Sequence, residues 1–175
     1  MAHVALLRGI NVAGKNRLPM KDLALIFQSA GCRSVRTHIQ SGNVVFDAEK
    51  RALEALPRQV SNLIREQFGF DSPVIVRSAE QLREVIAHNP FANPHPKSHH
   101  VAFLSGQPTE QCVSKLDPNR SPPDRFQARG CEIYLWLPNG VGKSKLTNAY
   151  FDRTLEVVST LRNWRTVLDL AELLR

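Results

Sequence analysis

Short apolar runs alternate along this chain with longer stretches whose apolar residues recur at helical spacing, and the order of the two kinds is what limits the fold. Residues 4–10 form a continuous apolar run, read as a strand. After a polar loop, Pro19 suits a helix start, and Leu23, Ile26 and Phe27 share one helical face that should stop near Gly31. Residues 35–39 and 44–46 read as two strands joined through Gln40-Ser41-Gly42-Asn43 as a hairpin. Leu53, Leu56, Val60, Leu63, Ile64 and Phe68 then mark a helix, with Pro57 in its first turns and Gly69 at its end. Residues 74–77 close the series as a fourth strand. The order β-α-β-β-α-β is that of a ferredoxin-like unit.

The order then returns. Ser78 is placed to cap a linking helix through Ala87, with Glu80 and Gln81 near its start, and residues 89–98 form a Pro-rich connector. Residues 99–104 read as a strand, and Thr109 caps a short helix through Leu116. Residues 125–128 and 133–137 read as strands, residues 145–155 as a helix and residues 157–162 as a strand. A last helix carries Val167, Leu168, Leu170, Leu173 and Leu174. The expected fold is therefore α+β: two tandem ferredoxin-like units with antiparallel sheets, plus a C-terminal helix. The expected boundaries are 1–77 for the first unit, 78–98 for the linking helix and connector, and 99–175 for the second unit. The repeat is read in the order of elements, with no repeat of residues beneath it.

Composition narrows the setting. No apolar stretch of the 175 residues approaches the ~20 that a membrane span needs. The opening MAHVALLRGI has no basic region, long apolar core or small-residue cleavage site, so a cytoplasmic location is expected and no membrane partner. Cys32, Cys112 and Cys131 are odd in number and far apart, which argues against a disulfide framework or a cysteine zinc site. The formal net charge is +7, which attracts phosphates and nucleic acid, although the lysines and arginines are spread without a basic run.

Four polar segments interrupt the apolar pattern. Strand direction should bring Arg8, Asn11, Lys15 and Asn16 beside Gln40 and Asn43 at one end of the first sheet. In the second unit, Lys143, Ser144, Lys145, Arg162, Asn163 and Trp164 should share one edge with His99 and His100. The strings RGINVAGKNRLPM, IQSGNVVF, GVGKSKLTNAYFDRTL and RNWRTVLDL, which lie in these segments, resemble the DUF1697 family of uncharacterised proteins. The resemblance runs from the first strand to the last helix. It implies a conserved α/β fold in a single chain and no established activity. Where the family pattern has Arg in GxGRSKL, this chain has Lys143, which removes any bidentate arginine contact at that point.

Each segment has a structural and a functional reading. Gly140-Val-Gly-Lys-Ser144 looks like the end of a phosphate-binding P-loop, but Leu137 occupies the position of its first glycine and the enclosing order is antiparallel. What survives is an anion held by Lys143 and by N–H groups at a helix start, against a plain turn in which Ser144 caps that helix. The Arg8–Lys15 segment is either a tight loop bonded by its asparagines or a polar ligand site. His95, His99 and His100 have no supporting carboxylate or cysteine, and neighbours on a strand face opposite ways, so no metal site is expected. Trp164 is either a stacking surface or a buried anchor for the last helix. No Ser-His-Asp order, carboxylate pair or H-E-x-x-H is present.

The leading expectation is a protein that binds a phosphate-bearing ligand, a nucleotide or nucleic acid, with no cofactor implied. The alternatives are an enzyme acting on a small phosphorylated or acidic metabolite, and a protein-interaction module. Protein partners are left open.

Overall fold

The structure, a computed structural model, describes residues 2–175. The elements run β1 (Ala2–Leu7), α1 (Met20–Ser29), β2 (Arg33–His38), β3 (Asn43–Asp47), α2 (Leu56–Phe68), β4 (Val74–Ser78) and α3 (Ala79–Ala87). They continue as β5 (His99–Leu104), α4 (Glu110–Val113), β6 (Arg125–Arg129), β7 (Glu132–Trp136), α5 (Asn148–Leu155), β8 (Ser159–Asn163) and α6 (Trp164–Leu173). The chain is thus mixed α+β, with two four-stranded sheets in the orders β2-β3-β1-β4 and β6-β7-β5-β8. Every neighbouring pair is antiparallel. β1 pairs with β3, as the first run of elements predicts. Among the described residues no helix is long and apolar enough to cross a membrane.

β1 and β5 are central in their sheets and buried on both faces, which is why they read as unbroken apolar runs. β2 and β6 are outer strands, and exposure alternates along β6. Arg33 and Arg36 on β2, and Arg125 and Arg129 on β6, put charge on edges that would otherwise pair with another chain.

Two compact units divide the chain. One comprises residues 1–83 and 170–175, the other residues 84–169. In the first core, Ala5, Leu7, Val44 and Phe46 meet Leu23, Ile26 and Phe27 of α1 and Leu56, Val60 and Ile64 of α2. In the second, Ala102, Leu104, Ile133 and Leu135 meet Cys112, Leu116, Tyr150, Phe151 and Leu155. Each large apolar side chain taken fully inside contributes roughly 1.5–3 kcal/mol.

Several boundaries move for local reasons. β1 ends at Leu7 rather than Ile10, because the chain turns at Gly9, whose φ is +75°. Ile10 still packs in the core. α2 starts at Leu56, preceded by a 3₁₀ turn at Lys50–Ala52, so Pro57 sits in the first turn where its missing N–H costs nothing. The helix expected over 145–155 begins at Asn148, capped by Thr147, whose Oγ accepts from the Tyr150 N–H at 3.2 Å. α4 stops at Val113, short of Leu116. β8 begins at Ser159, after Glu156 has ended α5 in a left-handed conformation.

Candidate functional site

The loop after β1 is built by its asparagines. Asn11 donates from Nδ2 to the carbonyls of Leu18 (2.9 Å) and Gln40 (3.1 Å), and its Oδ1 accepts from the Leu18 N–H at 2.8 Å. One side chain therefore closes the loop on itself and ties it to the β2–β3 hairpin. Asn16 donates to the Gly9 carbonyl at 2.7 Å, and Asn43 donates to His38 O and Ser41 Oγ. Asn11 and Asn16 also stand at positive φ, which short polar side chains tolerate. Inside the hairpin, Gly42 has φ +80°, and a Cβ there would lie 2.8 Å from Leu7 Cβ. Only glycine lets the hairpin approach the end of β1 this closely.

The predicted meeting of Asn11 with Gln40 is thus found. The asparagines are framework, however, and their polar atoms are used by the chain. What they frame is a cleft of about 360 Å³ lined by Asn11, Arg17, Leu18, Pro19, Met20 and Gln40. Its lining carries no carboxylate. Arg17 and the neighbouring Lys15 are exposed and make no ion pair among the described residues. Arg8 lies outside the lining. Its backbone N–H donates to Pro73 O, and its carbonyl accepts from Ser72 Oγ. Arg17 belongs to the polar segment visible in the sequence but is not among its candidate site residues. Its signal is its place just before Leu18-Pro19, where the buried leucine and the helix start fix the chain direction.

The second cluster does not assemble as expected. Trp136, His100 and Asn163 do lie at one sheet end, because β7 and β8 both run toward the start of β5. The side chains are otherwise occupied. Arg162 is only 7% exposed and donates from Nη1 to Thr160 Oγ (2.9 Å) and to Leu161 O (2.8 Å). Burial pushes its guanidinium down to about 10, still charged at neutral pH. Asn163 Oδ1 accepts from the Thr166 N–H at 2.8 Å and so caps α6. Trp164 is 4% exposed, the buried anchor of that helix. Arg162, Asn163 and Trp164 are therefore removed from the candidate surface.

Lys143 ends a 3₁₀ turn, Val141–Lys143, and is exposed. Ser144 is extended and its Oγ accepts from the Leu146 N–H, so it does not cap α5. The free N–H groups of that helix lie beyond Thr147 and leave Lys143 without the expected dipole. Lys145 is held by its backbone: its N–H donates to Ser121 Oγ, and its carbonyl accepts from Arg120 Nε. Arg120 stacks 4.0 Å from the Tyr150 ring centre.

The histidines serve local structure. His99 Nδ1 accepts from the His95 N–H at 2.8 Å, and His95 Nδ1 from the Lys97 N–H at 3.2 Å. Among the described residues no three His, Cys, Asp or Glu side chains group as metal ligands. Burial lowers the pKa of His99 and His100, raises the Cys32 thiol to about 11 and raises Tyr134 to about 12. None of these four residues lines the cleft.

Three comparisons bear on this geometry. The family described as "Protein of unknown function (DUF1697)" matches residues 1–134. No curated protein matches the chain. A solved structure, that of the conserved bacterial protein SP0830 from Streptococcus pneumoniae, is similar with a TM-score of 0.68 and 20% sequence identity. The similarity covers 99% of this chain and 98% of that one. At that identity it bears on the fold alone.

Proposed function

We propose, starting from the fact that this chain belongs to the DUF1697 family of proteins of unknown function, that it binds a phosphate-bearing ligand of nucleotide size at the loop end of its first unit. The observation that carries this reading is the carboxylate-free cleft, with Arg17 on its wall and Lys15 beside it. A cavity of about 360 Å³ suits a small ligand better than an extended strand. Arg17 offers a planar, permanently charged donor set that matches phosphate oxygens. Gln40, whose side-chain amide makes no hydrogen bond among the described residues, offers a donor and an acceptor for a base or sugar.

Binding is favoured over catalysis by the same residues. The cleft lining holds no carboxylate, histidine, cysteine or lysine to act as general acid, base or nucleophile. Each unit is read as ferredoxin-like on its strand order and on the shared direction of its first and second strands. That reading explains why the loop after β1 and the β2–β3 hairpin meet at one sheet end.

Calorimetric titration with ATP, pyrophosphate and a short single-stranded RNA, at about 50 and about 200 mM salt, tests the proposal. ATP should bind and weaken as salt rises. Arg17→Ala should cut its affinity about tenfold or more, a loss of roughly 1.4 kcal/mol, while Lys143→Ala leaves it unchanged. Failure of all three probes to bind overturns the proposal. Binding of the RNA alone overturns the nucleotide reading in favour of nucleic acid.

A further inference from the structure

The two sheets share one pairing register, and at that register their first strands and the ends of their fourth strands carry matching residues. β1 and β4 pair so that Val4 faces Arg77 and His3 faces Ser78. β5 and β8 pair so that Val101 faces Arg162 and His100 faces Asn163. Against the third strand of each unit, His3 faces Phe46 where His100 faces Leu135. Laying one register on the other sets His3-Val4-Ala5-Leu6-Leu7 on His100-Val101-Ala102-Phe103-Leu104, identical at four of five positions. It also sets Arg77 on Arg162. Both arginines are buried, and each donates from Nη1 to the carbonyl of the residue before it, at 3.1 and 2.8 Å. The next residue caps the following helix in both cases. Ser78 Oγ accepts from the Gln81 N–H and Asn163 Oδ1 from the Thr166 N–H, each three residues on.

A common strand order is a property of the fold. A common His-Val-Ala run, a common buried arginine with the same bond and a common cap at the same offset are not demanded by it. The residue-level repeat that the linear sequence hides becomes visible once strand register aligns it.

The copies differ most usefully after their first strands. Twelve residues, 8–19, separate β1 from α1, whereas five, 105–109, separate β5 from α4. Each copy has a cleft between this connection and the hairpin of its second and third strands. The first is lined by Leu18, Pro19, Met20 and Gln40, the second by Pro108, Glu110, Arg129 and Gly130, at about 360 and 330 Å³. The cleft therefore comes with the fold. Only the first copy adds the projecting tip, where residues 12–17 are all exposed and Val12 reaches 61%. The tip also holds Ala13 in a left-handed conformation at φ +48°, a strained position for a residue with a Cβ. The buried residues of this connection, Ile10 and Leu18, flank the tip and do not belong to it.

We infer that the chain is a tandem duplication of one β-α-β-β-α-β-α unit, and that residues 12–15 are an addition to the first copy alone, which the fold does not need and which, through Lys15 and together with the adjoining Arg17, carries recognition of the phosphate-bearing ligand. The recognition half rests on the function proposed above. The structural half stands on the repeat.

The test replaces Val12-Ala13-Gly14-Lys15 by an Asn-Gly turn in the full chain and, separately, makes Lys15→Gln with Arg17→Gln in the unshortened loop. Thermal unfolding and ATP titration are read on both. The shortened chain should unfold cooperatively within about 3 °C of the parent, and both variants should lose ATP affinity tenfold or more. A fall of more than about 10 °C, or loss of cooperative unfolding, in the shortened chain makes the tip part of the fold and overturns its being an addition. Folded variants that bind ATP as the parent does overturn the recognition half. If the parent binds no probe, the proposed function and the recognition half fall together, and the thermal measurement still decides the structural half.

Discussion

At the scale of the residue, the contrast between Lys143 and Arg162 shows how far charge and availability diverge. Both are basic, and Lys143 follows β7 while Arg162 lies in β8, two strands that run to one end of the second sheet. Lys143 extends into solvent from a short turn, while Arg162 is turned inward and bonded to Thr160 and Leu161. Arg162→Ala should leave those two acceptors unpaired and a cavity behind, at a cost of about 2–4 kcal/mol. Lys143→Ala should stay within about 0.5 kcal/mol of the parent. Urea denaturation of the two variants checks this, and equal midpoints would show that the buried guanidinium is not structural.

At the scale of the element, the strand-to-helix junctions are the most informative features. Ser78 and Gln81 form a reciprocal capping box: the Ser78 N–H donates to Gln81 Oε1 at 2.8 Å, while Ser78 Oγ accepts from the Gln81 N–H at 3.1 Å. Asn163 caps α6 from the equivalent position with one bond. Ser78→Ala and Asn163→Ala should each cost about 1 kcal/mol, and their effects should add, since the two caps share no partner. Denaturation of the single and double variants measures both. A near-zero cost at either position would mean that packing alone starts that helix. The Asn11 clamp belongs to the same scale, because one amide sets the geometry of a whole loop and with it the cleft.

At the scale of the whole molecule, buried histidines couple folding to pH. His99 and His100 are 7% and 8% exposed, and burial is the main cause that holds both below the ordinary value of 6.5. His100 Nδ1 is buried without a hydrogen-bond partner among the described residues. Folded-state values below the unfolded value mean that, as pH falls through 6.5, the unfolded chain takes up protons that the folded chain refuses. Stability should therefore fall as pH drops below about 7, and be independent of these groups above that point. His100→Leu, at a position that faces Leu135 across the sheet, should flatten the decline. Melting temperatures on both sides of that point test it, and an unchanged slope in the variant would assign the pH dependence elsewhere.

Much of this molecule is legible in its linear sequence, because strands and helices answer to local periodicity. The apolar runs at β1 and β5, the face of Leu23, Ile26 and Phe27, the Thr109 and Ser78 caps and the hairpin at Gln40–Asn43 all depend on residues close in the chain. Strand direction then suffices to bring Asn11 to Gln40. What sequence cannot carry is which polar atoms are already spent. Asn11, Asn16, Asn43, Asn163 and Arg162 have the composition of a binding site, yet their atoms serve backbone groups of this chain, and only three-dimensional packing determines that. The same holds for the start of α5. Ser144 and Thr147 are both able to cap a helix, and Ser144 is instead drawn into an extended segment held by the Ser121 and Arg120 contacts to Lys145. The repeat is the clearest case. Periodicity reveals its order of elements, but the equivalence of His3 with His100 and of Arg77 with Arg162 rests on strand register, and register is set by pairing between segments far apart in the chain.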